Sequence, residues 1–166
     1  MSFGFVGHRR EPPAADVNPD KLQKALDLGA HAVFNSAEET AVGQVKELTG
    51  GGADIGLECA GTVPALEFTY RATRRGGKTV SVGLPHPDKQ MAFSPVQLTG
   101  EERILQGSYL GGCVPSRDVP NYKSLYRSGR LPVDQLLTHT LTLEQINEGF
   151  ERLAGGEAIR QVIVFD

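Results

Sequence analysis

The nine residues "AADVNPDKL", Ala14 to Leu22, decide the fold. Ala14–Val17 is short and apolar apart from one acid, and turn-forming residues follow it, which suits a short strand. Asn18-Pro19 then opens a helix. Proline is pre-set for the first helical position, and the N–H it lacks would have no partner there. Asp20 adds a negative charge to the first turn, where the helix dipole favours it. A strand ending on an acid and passing at once into a helix is one step of a β-α alternation.

The alternation continues on the C-terminal side. Leu22, Ala25, Leu26 and Leu28 form the apolar stripe of the first helix, and Gly29 ends it. "HAVFN" (31–35) reads as a second strand. Ser36, with Glu39 three residues on, forms a capping box for a helix to about Leu48. "TGGGAD" (49–54) is a loop and "IGLECA" (55–60) a third strand. A helix from Thr62 to about Thr73 follows, then a strand at Lys78–Val82 and a fifth at "ERILQGSYL" (102–110). Strands and helices alternating over short connections imply a parallel sheet with helices on both faces.

After Gly111-Gly112 the rhythm changes, which sets a boundary near residue 111. Pro115–Gly129 reads as a helix and "LLTHTL" as extended. Thr142 and Gln145 make a capping box, and Ile146, Phe150 and Leu153 line one face of the helix behind it. On the N-terminal side, residues 1–13 read as an arm or linker. "FGFVG" could form a short strand, but "HRREPP" breaks regular structure.

The chain has 166 residues, 39% hydrophobic and 22% charged, with a net charge of −3. This composition is globular, and the charge argues against non-specific nucleic-acid binding. No apolar run reaches membrane-spanning length, and the N-terminus does not read as a signal peptide. Two isolated cysteines, Cys59 and Cys113, give neither a disulfide framework nor a zinc pattern, and a reducing, cytoplasmic setting fits them. The four histidines are scattered without metal-ligand spacing.

Asp16 has two readings. A carboxylate at a strand tip can accept hydrogen bonds from both hydroxyls of an adenosine ribose and would repel a 2′-phosphate, which favours NAD over NADP. Lys21, one turn along, could reach the same ribose. Alternatively, Asp16 caps the following helix. The glycine runs "TGGGAD" and "RRGGKT" lead into strands rather than helices, so they are helix stops and turns, not phosphate loops. "CAG" (59–61) and "VGLP" (82–85) end neighbouring strands in small residues, where a flat ring could approach the backbone or where only turn chemistry operates. In "SRD" (116–118) Ser116 reads as a helix cap, with Arg117 and Asp118 solvated, and His139 reads as structural.

In this order, "DVNPDKLQKALDLGAHAVFN", "GGADIGLECAG", "TRRGGKTVSVGLP", "ILQGSYLGG" and "INEGFERLAGGEAIRQVIVF" resemble the C-terminal half of zinc-dependent alcohol dehydrogenases, members of the medium-chain dehydrogenase/reductase superfamily. The resemblance runs from Asp16 to Phe165. It implies a Rossmann-like doubly wound parallel sheet over residues 14–110 and a C-terminal α+β tail over 111–166, which in the family returns to the catalytic domain. It implies an NAD cofactor and oxidation of a small alcohol to an aldehyde or ketone. By the same resemblance Asp16 and Lys21 match the ribose-binding pair, and Cys59 and Ala60 lie where cofactor rings pack. Val82, Gly83, Leu84 and Leu110 lie where backbone groups hold the nicotinamide carboxamide, and Arg160 matches an arginine that reaches the pyrophosphate. The strand matching Ile104–Tyr109 is an edge strand through which subunits pair, which implies a homo-oligomer.

The family pattern is incomplete here. A glycine fingerprint should precede Asp16 by about twenty residues, and "GFVG" (4–7) is a poor remnant of it. The zinc ligands of the family have no counterpart in this sequence. The expectation is therefore a sheet missing its first β-α unit and central strand, with two unsatisfied edges, and weak cofactor binding. Two alternatives stay open: a non-catalytic nucleotide-binding or oligomerising fragment, and a zinc-free quinone reductase-like member.

Overall fold

A computed structural model describes residues 3–6 and 12–165. The chain divides into two compact units, Met1–Gly111 and Gly112–Asp166.

The first unit is a sheet with helices. Its strands are β1 (Phe3–Val6), β2 (Ala14–Asp16), β3 (Val33–Asn35), β4 (Ala53–Glu58), β5 (Thr73–Ser81) and β6 (Ile104–Gly107). Its helices are α1 (Pro19–Asp27), α2 (Ala41–Thr49), α3 (Val63–Ala72) and the short α4 (Pro95–Gly100). The strands form one sheet in the order β3-β2-β1-β4-β5-β6, the spatial order of a doubly wound nucleotide fold. β3 pairs with β2, and β4, β5 and β6 pair in series, all parallel.

The expected gap in the centre of the sheet is filled. β1 lies between β2 and β4 and runs antiparallel to both, pairing Phe3 with Ala15 and Phe5 with Gly56. The physical reason is chain length. Only residues 7–13 lie between β1 and β2, whereas a parallel neighbour needs a crossover of about a dozen residues or more. A short connection leaves antiparallel pairing as the solution. "FGFV" is thus a strand of reversed direction, not the remnant of a glycine fingerprint; the rest of the expected arm, residues 7–11, lies outside the described residues.

The core gathers Ala15, Ala41, Val45, Ala53, Ala65, Phe68 and Ala72, with Phe34, Val42 and Ala60 packed against it. Small side chains let the helices sit close to the sheet. At Gly56 of β4 an added Cβ would lie 2.6 Å from the Thr69 side chain and 2.8 Å from that of Thr73. Three buried threonines follow each other there. Thr69 Oγ1 donates to the Ala65 carbonyl at 2.8 Å, Thr73 Oγ1 to the Thr69 carbonyl at 2.8 Å, and Thr79 Oγ1 to Thr73 Oγ1 at 3.1 Å. Arg103, nearly buried, ties β6 to α3: its guanidinium lies 4.9 Å from the Tyr70 ring centroid and donates to the Tyr70 carbonyl and to Glu101. The bond to Arg103 holds the Glu101 carboxyl below its ordinary value.

Local expectations fared unevenly. Gly50 ends α2 in the left-handed conformation. "RRGG" is not a plain turn: the β4–β5 register jumps from Ala53–Thr73 to Ile55–Lys78, so Arg74–Gly77 bulge out of one strand, and Arg74 pairs with Asp54 at 2.6 Å. The Ser36–Glu39 capping box does not start a helix. Asn35 Oδ1 accepts the Ala37 N–H at 3.1 Å, an Asx turn that takes up residues 35–37 and delays α2 to Ala41. In α1, Leu22 and Ala25 are half-buried while Leu26, and Leu28 at the helix C-cap, are exposed.

The second unit holds α5 (Pro115–Arg127), β7 (Leu137–Leu141), α6 (Ile146–Ala154) and β8 (Arg160–Ile163), with β7 and β8 parallel. The Thr142–Gln145 capping box forms as expected, at the one-turn 3-10 segment leading into α6. Ser116 is not the cap of α5. Asp118 reaches back to accept the Val114 N–H at 2.8 Å, and it is paired rather than merely solvated. The Arg117 guanidinium, 2.6 Å from Asp118, holds the Asp118 carboxyl below its ordinary value, with the Val114 N–H adding to the effect. In α6 the packed position is Gly149, against Leu141, while Phe150 and Leu153 remain exposed.

Candidate functional site

Because β1 is antiparallel to both neighbours, β2 and β4 run the same way. The carboxyl ends of β2, β4, β5 and β6 therefore meet at one edge of the sheet, the edge where open α/β sheets bind ligands.

Asp16 stands at the tip of β2 with 2% of its surface exposed. Its Oδ1 accepts the Asn18 N–H at 3.0 Å. Asn18 in turn caps α1, its Oδ1 accepting the N–H groups of Asp20 at 2.9 Å and Lys21 at 3.4 Å. The helix cap is thus Asn18, and Asp16 braces it, so capping does not account for Asp16. Lys21 is half-buried in the first turn of α1. Two strand spacings along the edge, about 10 Å from Asp16, comes the tip of β4.

There the two turns that the sequence singled out touch. A Cβ on Gly83 would lie 2.1 Å from the Gly61 nitrogen, and one on Gly61 would lie 3.0 Å from the Leu84 nitrogen. Gly61 has φ +70°, a left-handed conformation suited to glycine. The contact is backbone against backbone, so neither position has room for a side chain. Cys59 and Ala60 flank it half-buried, while Val82 and Leu84 are exposed, Leu84 by 75%. Burial pushes the Cys59 thiol up from its ordinary value, and neighbouring Glu58 adds to the rise. Raising the thiol lowers the share of thiolate, the reactive form.

Leu110, 66% exposed with φ +50°, follows β6. Arg160 is an exposed residue of β8 in the second unit, and its carbonyl accepts the Thr138 hydroxyl at 2.9 Å. His139 lies half-buried within β7, opposite Gln161.

Sequence reasoning missed Glu58 and Ser81. Glu58, the last residue of β4, is 1% exposed and hydrogen-bonds to both turns. The signal was an acid ending an otherwise apolar strand, "IGLE", just before the small residues of the site.

A glycine-rich phosphate loop needs a strand that arrives at this edge and hands over to a helix N-terminus. β1 starts at the edge and runs away from it, so the middle of the edge has no such loop among the described residues. Among the described residues no group of three or more His, Cys, Asp or Glu could hold a metal ion, so they do not fit a catalytic zinc. No helix among them is long and apolar enough to cross a membrane.

Strand order, switch-point edge and buried acid define a nucleotide-type Rossmann fold with a reversed central strand. Comparison with known proteins is specific. Residues 7–127 match the family model described as zinc-binding dehydrogenase, and the chain belongs to that family. It is 37% identical over 155 residues to alcohol dehydrogenase class-2 isozyme 2 of Oryctolagus cuniculus, covering 92% of this chain and 40% of that protein. It is 32% identical over 151 residues to alcohol dehydrogenase 1 of Zea mays, covering 89% and 40%. Among solved structures, an alcohol dehydrogenase zinc-binding domain protein from Burkholderia ambifaria superposes with a TM-score of 0.87 at 30% identity, covering 95% of this chain and 42% of that one. Benzyl alcohol dehydrogenase from Acinetobacter calcoaceticus superposes with a TM-score of 0.86 at 28% identity, covering 93% and 42%. The chain spans about two fifths of the length of these relatives.

Proposed function

We propose that this chain is the cofactor-binding portion of an NAD-dependent, zinc-type alcohol dehydrogenase, whose whole reaction is hydride transfer from a small alcohol to nicotinamide. The observation that carries this reading is Asp16, buried at the tip of β2 and not serving as the helix cap. The Gly61–Gly83 contact supports a second anchoring point along the same edge. Asp16 with Lys21 would hold the adenosine ribose. Cys59, Ala60, Val82, Gly83, Leu84 and Leu110 would line the nicotinamide end. When bound, NAD supplies the hydride acceptor. This chain's part is to bind and orient it.

Asp16→Ala tests the reading. Loss of a charged acceptor is expected to weaken NAD binding by about 1.5–3 kcal/mol and to improve NADP relative to NAD. Titration calorimetry giving equal NAD affinity for variant and parent would remove Asp16 from the site.

A second reading, a weak nucleotide-binding or oligomerising module without catalysis of its own, is favoured by the reversed β1, which among the described residues leads into no helix N-terminus for a pyrophosphate. Self-association through β6 belongs to either reading. β6 is an outer strand, all four of its residues are exposed, and Ile104 and Leu105 are apolar. The Ser108 N–H donates to Ser81 at 2.8 Å. By the period-two alternation of a strand, Gln106 also faces β5, and the outward donors are those of Leu105 and Gly107. An added Cβ at Gly107 meets open space. Gly107→Pro is therefore expected to remove an outward donor and weaken a two-fold dimer. Light scattering that finds a monomer at high micromolar concentration in parent and variant alike would end this idea.

A further inference from the structure

We propose that Glu58 is a positioning residue for the cofactor: its side chain and its carbonyl together set the spacing of the two turns, 59–61 and 82–84, that face the nicotinamide end. The proposal rests on the nucleotide reading of the preceding subsection.

Side chains alternate along β4, so Glu58 shares a face with Gly56, the face covered by α3. From there it reaches the chain entering α3. Oε1 accepts the Gly61 N–H at 2.6 Å, and Oε2 accepts the Ser81 hydroxyl at 3.4 Å. The Glu58 carbonyl accepts two more N–H groups, Val82 at 2.8 Å and Gly83 at 3.1 Å. One residue thus fixes the end of the first turn with its side chain and the start of the second with its backbone. These are the turns whose backbones touch at Gly61 and Gly83.

Stability alone does not explain a carboxyl group here. A polar group taken wholly out of water is costly unless its bonds are made, and an apolar side chain of the same size often packs there at least as well. What an apolar side chain cannot do is accept the Gly61 N–H. That bond orients the peptide between Ala60 and Gly61, and so the backbone along which a ring would lie.

Three variants test this. Glu58→Met keeps the length and removes the acceptor. Glu58→Gln keeps an amide oxygen in place of Oε1. Asp16→Ala monitors the nucleotide reading separately. Amide hydrogen exchange and NAD titration are measured on each. The expected result is a Gly61 amide that is protected in the parent and in Glu58→Gln and exchanges fast in Glu58→Met, while Val82 and Gly83 stay protected in all three. NAD affinity should fall at least tenfold in Glu58→Met and stay within threefold of the parent in Glu58→Gln, a rescue that a purely space-filling role would not give. If Asp16→Ala loses NAD binding but Glu58→Met binds like the parent, the positioning role is overturned and the nucleotide reading stands. If the parent shows no NAD binding, or binding indifferent to Asp16, both fall. Should Glu58→Met fail to fold, the Gly61 amide decides: protection in the parent and in Glu58→Gln supports the proposal, and fast exchange in either overturns it.

Discussion

Gly83→Ala is expected to cost about 2–3 kcal/mol of stability and to reduce nucleotide affinity more than tenfold. The substitution is small, but the space is smaller. The new Cβ would fall 2.1 Å from the Gly61 nitrogen and 2.4 Å from its Cα, both main-chain atoms that no rotamer change can move aside. Relief requires the two turns to separate, which pulls on the bonds from Val82 and Gly83 to the Glu58 carbonyl. Urea denaturation reads the stability term and calorimetry the binding term. An unfolding midpoint equal to that of the parent would show that the turns do not touch as described.

Gly56→Val sets two effects against each other. Valine suits a strand, and replacing an interior glycine should gain up to about 1 kcal/mol in propensity and chain entropy. Against this stands the packing of α3 on β4. The first carbon alone would lie 2.6 Å from Thr69 Cγ2 and 2.8 Å from Thr73 Oγ1, and valine adds two methyls beyond it. Both threonines are fully buried, and their hydroxyls are committed to the Ala65 and Thr69 carbonyls. Overpacking costs about 1–3 kcal/mol, and disturbing the threonine bonds adds about 1 kcal/mol. The net expectation is a loss of about 2 kcal/mol, read as a lower urea midpoint at unchanged slope. A stabilised variant would mean that α3 does not press on the sheet at this point.

How much of this was legible in the sequence depended on the range of the interaction. Asn18-Pro19, Gly50 and the Thr142–Gln145 box act within a few residues, and each does what its chemistry implies. The β-α rhythm was legible for the same reason, and with it the edge on which Asp16 stands. Ser36 misled because two local motifs compete at one place, and the Asn35 turn took the chain first. The direction of β1 was not legible from "FGFV" itself, which carries nothing to orient it. It follows from the few residues separating it from β2, together with a slot between β2 and β4 that exists only in the folded sheet. Glu58 escaped notice because its partners, Gly61, Ser81, Val82 and Gly83, come together only when β5 lies beside β4.

The touch between Gly61 and Gly83 has a consequence for how such a site can diversify. The contact is made by main chain and is anchored by Glu58, not by the residues that flank it. The frame is therefore held independently of its lining, and Ala60, Val82 and Leu84, which flank it at half-buried or exposed positions, can be exchanged while the frame stays put. Variation of the flanking side chains and constancy of the backbone are separated along the chain by a single peptide.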